Sequence, residues 1–420
     1  MIRKKIYFAG IVSVLLILAL TVHSFVRKPV DAKDEKAEEP VVPVYNPVVE
    51  IQSTLNQFDS ILSENLKQSG TVGAAAVITY KGRIALLRCY GVRKVGTKDP
   101  VNENTVFRLA SVSKSITGVL AGILDDENIV KLDDKVADYV PALSLKDPVC
   151  TKELTVRHLL SHTSGLIPHA FDLMVEDHVP LDKIIERLPE VPMTASPGKM
   201  YGYQNVMYSL YDPVASAKTK QSFDHLIREK VFVPFQMKDA STGFEAFEEN
   251  ENKAYPHQNT GNHNFKAMKL NDRYYSTAPA AGVNASISDL GQLLANLTDP
   301  ESKVISKKIR ETIFAPQVVS PLTRGYFHSW GKGVQSKQYS IGWRIVDYKG
   351  RKIAYHGGFV SGYKAEMAYC EEEEIGIALL TNSPTSESAQ NIPDFLNMIF
   401  AEKERIALEN SAAKNNDDKS

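Results

Sequence analysis

The sequence predicts an α/β chain of the α+β type: one antiparallel sheet flanked by terminal helices, with a large all-helical subdomain. Three observations predict it. Strand-type runs cluster near the two ends of the chain, at 73–78 and 83–90 and again at 340–348, 352–355, 363–370 and 375–381. Apolar residues at helical spacing precede the first group and follow the last. Between the groups, from residue 107 to about 297, the apolar period is mainly helical and the loops are long. Strands from the two termini can complete one antiparallel sheet, and terminal helices then cover it.

Each element has its own signal. Ile51, Leu55, Phe58, Ile61, Leu62 and Leu66 make one face of a helix over 49–67. Tyr80-Lys81-Gly82 between the first two apolar runs reads as a hairpin turn. Residues 154–166 read as a capped helix ending at Gly165, with His162 in its capping network, and Ser286 opens another helix through 297. Residues 242–275 are polar and weakly periodic, so they are expected as a long surface excursion and a substrate lid, with His257 and His263 solvated on it. Glu371-Glu372-Glu373-Glu374 joins two strand runs and reads as a solvated hairpin turn, not a metal site. A last helix is expected over 386–403, with a polar tail at 406–420.

The N-terminus has a different character. Arg3, Lys4 and Lys5 precede an uncharged, mostly apolar run from 6 to 22, and with the next four residues it approaches the ~20 residues that span a bilayer. Basic residues hold that end in the cytoplasm. The expected layout is a cytoplasmic stub at 1–5, a single-pass signal anchor at 6–26, an extended disordered linker at 27–46, and a catalytic domain at 47–405. A secretory signal cleaved near Val22-His23-Ser24 is the competing reading. Either way the remainder is exported.

Composition narrows the function. A formal net charge of −1 argues against nucleic acid as a partner. Three cysteines, Cys89, Cys150 and Cys370, make neither a disulfide framework nor a metal spacing. Cys89 and Cys370 lie in strand runs and are expected as small core residues. No cofactor or metal is called for.

The chemistry starts at Ser111-Val112-Ser113-Lys114. A serine hydroxyl must lose its proton to act as a nucleophile. A lysine three residues later on a helix lies on the same face. Ile116, Val119, Leu120, Ile123 and Leu124 continue that helix, placing Ser111 near its N-terminus, where the dipole disfavours a cation and favours developing negative charge. Ser-x-x-Lys also occurs at Ser196/Lys199, Ser329/Lys332, Ser361/Lys364 and Ser411/Lys414, but none of these opens a long apolar-periodic helix. Two further motifs follow in order. Tyr203-Gln204-Asn205 is the only Tyr-x-Asn in the chain, and His356-Gly357-Gly358, ending a strand, is the only His-Gly-Gly.

These three motifs resemble those of the serine penicillin-recognising enzymes, most closely the class C β-lactamase-related branch. Phe107-Arg108-Leu109-Ala110, residues 159–166, Ala281-Gly282 and Gly342-Trp343 add to the likeness, which covers residues 50–403. The resemblance implies a β-lactamase/transpeptidase-like fold and a two-step acyl-enzyme mechanism. Ser111 would be the nucleophile, with Lys114 and Tyr203 sharing its proton; which of the two accepts it stays open. Asn205 would position Lys114 and donate to the substrate amide. The backbone N–H groups of Ser111 and Phe359 would form the oxyanion hole, with His356 among the substrate-binding residues and Gly357 and Gly358 admitting the substrate to the strand edge. Class C β-lactamases have Lys-Thr-Gly where this chain has His356-Gly357-Gly358. Losing that permanent cation puts recognition of an anionic β-lactam in doubt, and a charged His356 would make the rate vary through about pH 6–7. The expected substrate is a small cell-wall-related peptide, amide or ester, cleaved as by carboxypeptidases, D-aminopeptidases or esterases, at a bacterial cell membrane with the domain facing the periplasm or exterior. The alternatives are a true β-lactamase and a catalytically silent, membrane-tethered peptide-binding scaffold.

Overall fold

The structure is a computed structural model that describes residues 46–321, 327–385 and 390–417. The chain divides into two compact units, Met1–Asn46 and Pro47–Ser420. The basic stub, the apolar run at 6–26 and nearly all of the linker lie outside the described residues. Among the described residues, no helix is long and apolar enough to cross a membrane.

Strands from both ends of the second unit form one eight-stranded antiparallel sheet. They are β1 (Gly73–Tyr80), β2 (Arg83–Gly91), β3 (Val318–Val319), β4 (Val334–Tyr339), β5 (Arg344–Tyr348), β6 (Arg351–Val360), β7 (Tyr363–Cys370) and β8 (Ile375–Thr381), in the order β2-β1-β8-β7-β6-β5-β4-β3. The seam between the two ends is β1 against β8, in register from Ala74↔Thr381 to Tyr80↔Ile375. Alternation along β1 sends Ala74, Ala76, Ile78 and Tyr80 to one core and Ala75 and Val77 to the other.

The first core is closed by the terminal helices α1 (Gln52–Gln68) and α4 (Asn391–Asp417). Phe58 of α1 meets Phe395 of α4 at 5.0 Å between ring centroids. The last helix was expected to stop near 403, and it runs on through the polar tail. Ala, Glu and Lys in that stretch are strong helix formers, and Arg405 pairs with Glu402 at 2.7 Å and Glu409 at 2.5 Å along it.

The other face carries the inserted subdomain around α2 (Ser113–Asp126), with α3 (Ile287–Thr298) on β1 and β8. Residues 113–124 of α2 are all buried, so this helix is not amphipathic in place but surrounded. Its polar groups are satisfied from neighbours: Ser115 donates to Gly342 O at 3.0 Å and Thr117 to Pro279 O at 2.8 Å. The subdomain is not entirely helical. Phe107–Arg108, Val283–Ala285 and Ser241–Thr242 pair as a small sheet, and His257–Gly261 pairs with Asn264–Ala267. Strands this short leave no readable period-2 signal.

The polar excursion is a wall and not a free lid. Arg108, buried and stacked at 4.2 Å on the Tyr275 ring, donates to Asn271 O at 3.0 Å and to Arg273 O, pinning its far end. His257 is buried, against expectation: Nε2 accepts from Val95 N–H at 3.0 Å and Nδ1 donates to Asn382 O at 2.9 Å. His263 stays exposed, as expected, while touching Ser69 O at 3.1 Å. Cys370 is buried in the core, as expected, with burial pushing its thiol up to about 12, whereas Cys89 is only half-buried against the core, its thiol pushed up to about 11. Residues 371–374 form the expected turn, with Glu373 paired to Arg351 at 2.7 Å.

Candidate active site

A cleft of about 1230 Å³ opens between β6 and the subdomain. Ser111, Tyr203 and Asn205 line it, with Arg344, Lys337 and Phe359 on the sheet side and Asp172, His169 and Tyr201 across from them. Ser111 lies in a single 3-10 turn, Ala110–Val112, that leads into α2. Ala110 holds φ of +47°, a left-handed conformation unusual for a residue with a side chain.

Ser111 Oγ is met by two groups. The Tyr203 hydroxyl donates to it at 2.9 Å, and Lys114 Nζ lies 3.4 Å away. Lys114 is wholly buried and also donates to Asn205 Oδ1 at 2.7 Å and to Ala280 O at 3.0 Å. Burial holds this amine well below the usual lysine range, Asp172 opposes that effect, and Arg344 reinforces it. A neutral amine has two N–H bonds and one lone pair. With both N–H bonds engaged by the carbonyls of Asn205 and Ala280, the lone pair faces Ser111. Lys114 Nζ also lies 4.7 Å from the centre of the Tyr203 ring. With the phenol donating to Ser111, the lone pair of Lys114 is the acceptor this arrangement offers, and Tyr203 could take the Ser111 proton only after giving up its own.

The glycines of β6 lie in the part of the strand that approaches the Ser111 turn. Paired strands β5 and β6 stop at Arg344↔Tyr355, so residues 356–360 run past the end of β5. Val360 and Tyr363 flank a two-residue turn and form a hydrogen-bonded pair, so Phe359 belongs to a non-bonded pair with Lys364. Its N–H consequently points away from β7. Gly358 is the point of contact: a Cβ there would lie 2.3 Å from Leu109 O and 2.7 Å from Ser111 N. The Phe359 side chain is 69% exposed at the cleft mouth.

His356 does not reach the cleft. It is fully buried, with Nδ1 donating to Gly357 O at 2.9 Å and Nε2 accepting from the Tyr339 hydroxyl at 3.0 Å. Burial first, then Arg344 and Lys114, hold this imidazole well below its usual range. It is a neutral prop beneath the strand, so the expected substrate contact and the expected change of charge near neutral pH are both corrected. His162 is also relocated. The cap of the short helix Val156–Leu160 is made by Thr155 and His158. His162 instead lies buried behind the motif, accepting from Gln204 N–H at 3.2 Å, with its ring 4.3 Å from Tyr203 and 4.7 Å from Tyr339.

Three residues escaped sequence reasoning. Arg344 opens β5, places its guanidinium 5.3 Å from the Tyr203 ring centre, and donates to the Tyr201 hydroxyl at 3.1 Å. Lys337 lines the same end of the cleft. Arg344 places in the cleft a permanent cation that the His356-Gly357-Gly358 motif does not supply. Its one signal was its place directly after Gly342-Trp343. Both carboxylate oxygens of Asp172 accept from Asn205 Nδ2, at 3.2 and 3.1 Å. Nothing local in the sequence marked it. Of the remaining Ser-x-x-Lys pairs, Ser361 falls in the two-residue turn after β6 and bonds Asn271 Oδ1 at 3.1 Å.

Known proteins share this architecture. A penicillin-binding protein homologue from Pyrococcus abyssi, described as octameric, superposes with a TM-score of 0.70 at 21% identity, covering 83% of this chain and 77% of that one. EstCE1, described as a hydrolase with promiscuous acyltransferase activity, superposes at 0.68 with 19% identity, covering 83% and 99%. At such identities the likeness establishes the fold. In sequence, a β-lactamase of Yersinia enterocolitica is 26% identical over 348 residues, 77% of this chain and 85% of that protein. Protein flp of Staphylococcus aureus strain MRSA252 is 23% identical over 365 residues, 84% and 67%. The Beta-lactamase family model matches residues 58–397, running through both halves of the sheet and the insert between them, and the chain belongs to that family.

Proposed function

We propose that this protein is a serine acyl hydrolase that forms an ester with its substrate at Ser111, acting on small, carboxylate-bearing peptides, amides or esters of cell-wall type. The observation that carries the reading is the contact of Ser111 Oγ with the Tyr203 hydroxyl at 2.9 Å and the buried Lys114 amine at 3.4 Å. Attack on the acyl carbon passes the Ser111 proton to this pair. The resulting oxyanion lies between the N–H groups of Ser111 and Phe359. The pair returns the proton to the leaving amine or alcohol, and water then releases the acyl group. Arg344, with Lys337 beside it, supports a substrate carboxylate at the sheet end of the cleft.

That cation equally favours a second reading, hydrolysis of a β-lactam, whose carboxylate it would hold. The proposal includes an apolar anchor at 6–26 that keeps the domain on the outer side of a cell membrane, which detergent-dependent fractionation of the full chain tests. Treatment with a fluorophosphonate, then intact mass and peptide mapping, tests the nucleophile: the adduct is expected on Ser111 and absent from Ser111→Ala. No adduct in folded protein overturns the enzyme reading and leaves the scaffold. Loss of free benzylpenicillin, or the yellow-to-red change of nitrocefin, selects the β-lactamase reading over the peptidase and esterase one.

A further inference from the structure

We propose that Asp172 is a positioning residue for acylation: its carboxylate dictates which way the Asn205 carboxamide faces, and thereby what Lys114 donates to. The inference rests on the acyl-enzyme reading above.

The argument is one of donors and acceptors. Asp172 begins the short helix Asp172–Glu176 in the cleft wall, and its side chain is 16% exposed. Both of its oxygens face Asn205 Nδ2, at 3.2 and 3.1 Å. An ionised carboxylate only accepts, so the end of the amide facing it must be the NH₂ group. The carbonyl end, Oδ1, is thereby turned to Lys114 Nζ at 2.7 Å. Flipped, the amide would oppose its own donors to those of the amine, and Lys114 would have one acceptor fewer to occupy its N–H bonds. The lone pair facing Ser111 would then no longer be specified.

Asp172 is itself held. His169 Nδ1 lies 2.8 Å from its Oδ2, and the His169 backbone N–H donates to Tyr203 O at 2.8 Å. The carboxylate is therefore fastened to the segment that carries Tyr203 and Asn205. The charge also reaches Lys114. The groups facing that amine are Arg344, the neutral imidazoles of His162 and His356, the phenols of Tyr203 and Tyr208, and Asp172. Asp172 is the carboxylate that favours the ammonium there, against burial and Arg344.

Three variants of the full chain separate orientation from charge, read by stopped-flow release of nitrophenolate from nitrophenyl butyrate across pH. Asp172→Asn keeps an acceptor but removes the charge. Its acid limb should move to lower pH by about one unit, the effect of one charge two hydrogen bonds away in protein. Asp172→Ala removes both, and acylation should slow about 10²-fold with KM little changed. Asp172→Glu should restore most of the rate. An acid limb in Asp172→Asn that coincides with wild type, or an Asp172→Ala rate near wild type, overturns the proposal. So does a loss in all three with an unmoved pH profile, since that is what a purely structural role gives. Fluorophosphonate labelling of wild-type Ser111 runs beside this. If wild type is labelled and the variants behave as wild type, this inference alone fails. If wild type is neither labelled nor active, the reading beneath it fails as well.

Discussion

Replacing Gly358 by alanine should open the oxyanion hole by forcing its strand away from the turn that carries Ser111. The added methyl would lie 2.3 Å from Leu109 O, 2.7 Å from Ser111 N and 3.0 Å from Ala110 Cβ, where ordinary contact begins at 3.4 Å. Two of the three obstacles are backbone atoms, and the third is fixed to a residue already in the left-handed region. None can swing aside, so strand and turn must separate by about 1 Å in an interior packed at crystal-like density. A donor designed to sit ~3 Å from an oxyanion would then be near 4 Å, beyond useful hydrogen bonding. Loss of one such donor typically costs about 10²–10³ in kcat, or about 3–4 kcal/mol of transition-state stabilisation. The methyl adds about 1–3 kcal/mol of overpacking strain, so the urea midpoint should fall too. The assay is steady-state hydrolysis of nitrophenyl butyrate, with circular dichroism to confirm the fold. KM should change little, because the ground-state ester carries no oxyanion. A folded Gly358→Ala protein with kcat near wild type would refute the placement of the hole between Ser111 and Phe359.

Four other outcomes are expected. Arg344→Met should raise KM for carboxylate-bearing substrates by about 10–100-fold, a lost charge-assisted contact, and leave neutral esters nearly unaffected; equal losses on both would remove Arg344 from carboxylate recognition. Activity should fall as pH drops through the depressed Lys114 value, because the active form is the neutral amine and protonation consumes its lone pair. Burial holds the His356 imidazole well below its usual range, so His356→Gln should leave the shape of the profile between about pH 6 and 7 unchanged, as a pH–rate series would show. Phe58→Ala, on the sheet face away from the cleft, should cost about 3–5 kcal/mol in urea unfolding with kcat preserved; a matching drop in kcat would mean the terminal-helix layer reaches the site.

Much of this protein was written locally. The apolar faces of 49–67 and 116–124, the strand runs at 73–78, 83–90, 363–370 and 375–381 and the turn at 371–374 depend on neighbours within a few residues, and they stand where the sequence placed them, whereas the run expected at 340–348 is strand only from Arg344 and the one at 352–355 extends from Arg351 to Val360. The helix after Asn391 ran past its expected end because charge pairs and propensity sustain a helix without an apolar face. Ser111, Lys114, Tyr203 and Asn205 were legible because their chemistry needs particular residue types at short spacing, and the fold brings them within hydrogen-bond reach. What the sequence could not determine was which side chains meet across large separations. Arg344 lies 141 positions from Tyr203 and shows no local sign that it will stack there. Asp172 reaches Lys114 only through Asn205. His356 looked like a substrate contact until Tyr339, from a neighbouring part of the sheet, closed over it. Motif and period are short-range properties of a chain, whereas burial, charge and the donor set of each polar group are decided by whatever the fold packs beside it.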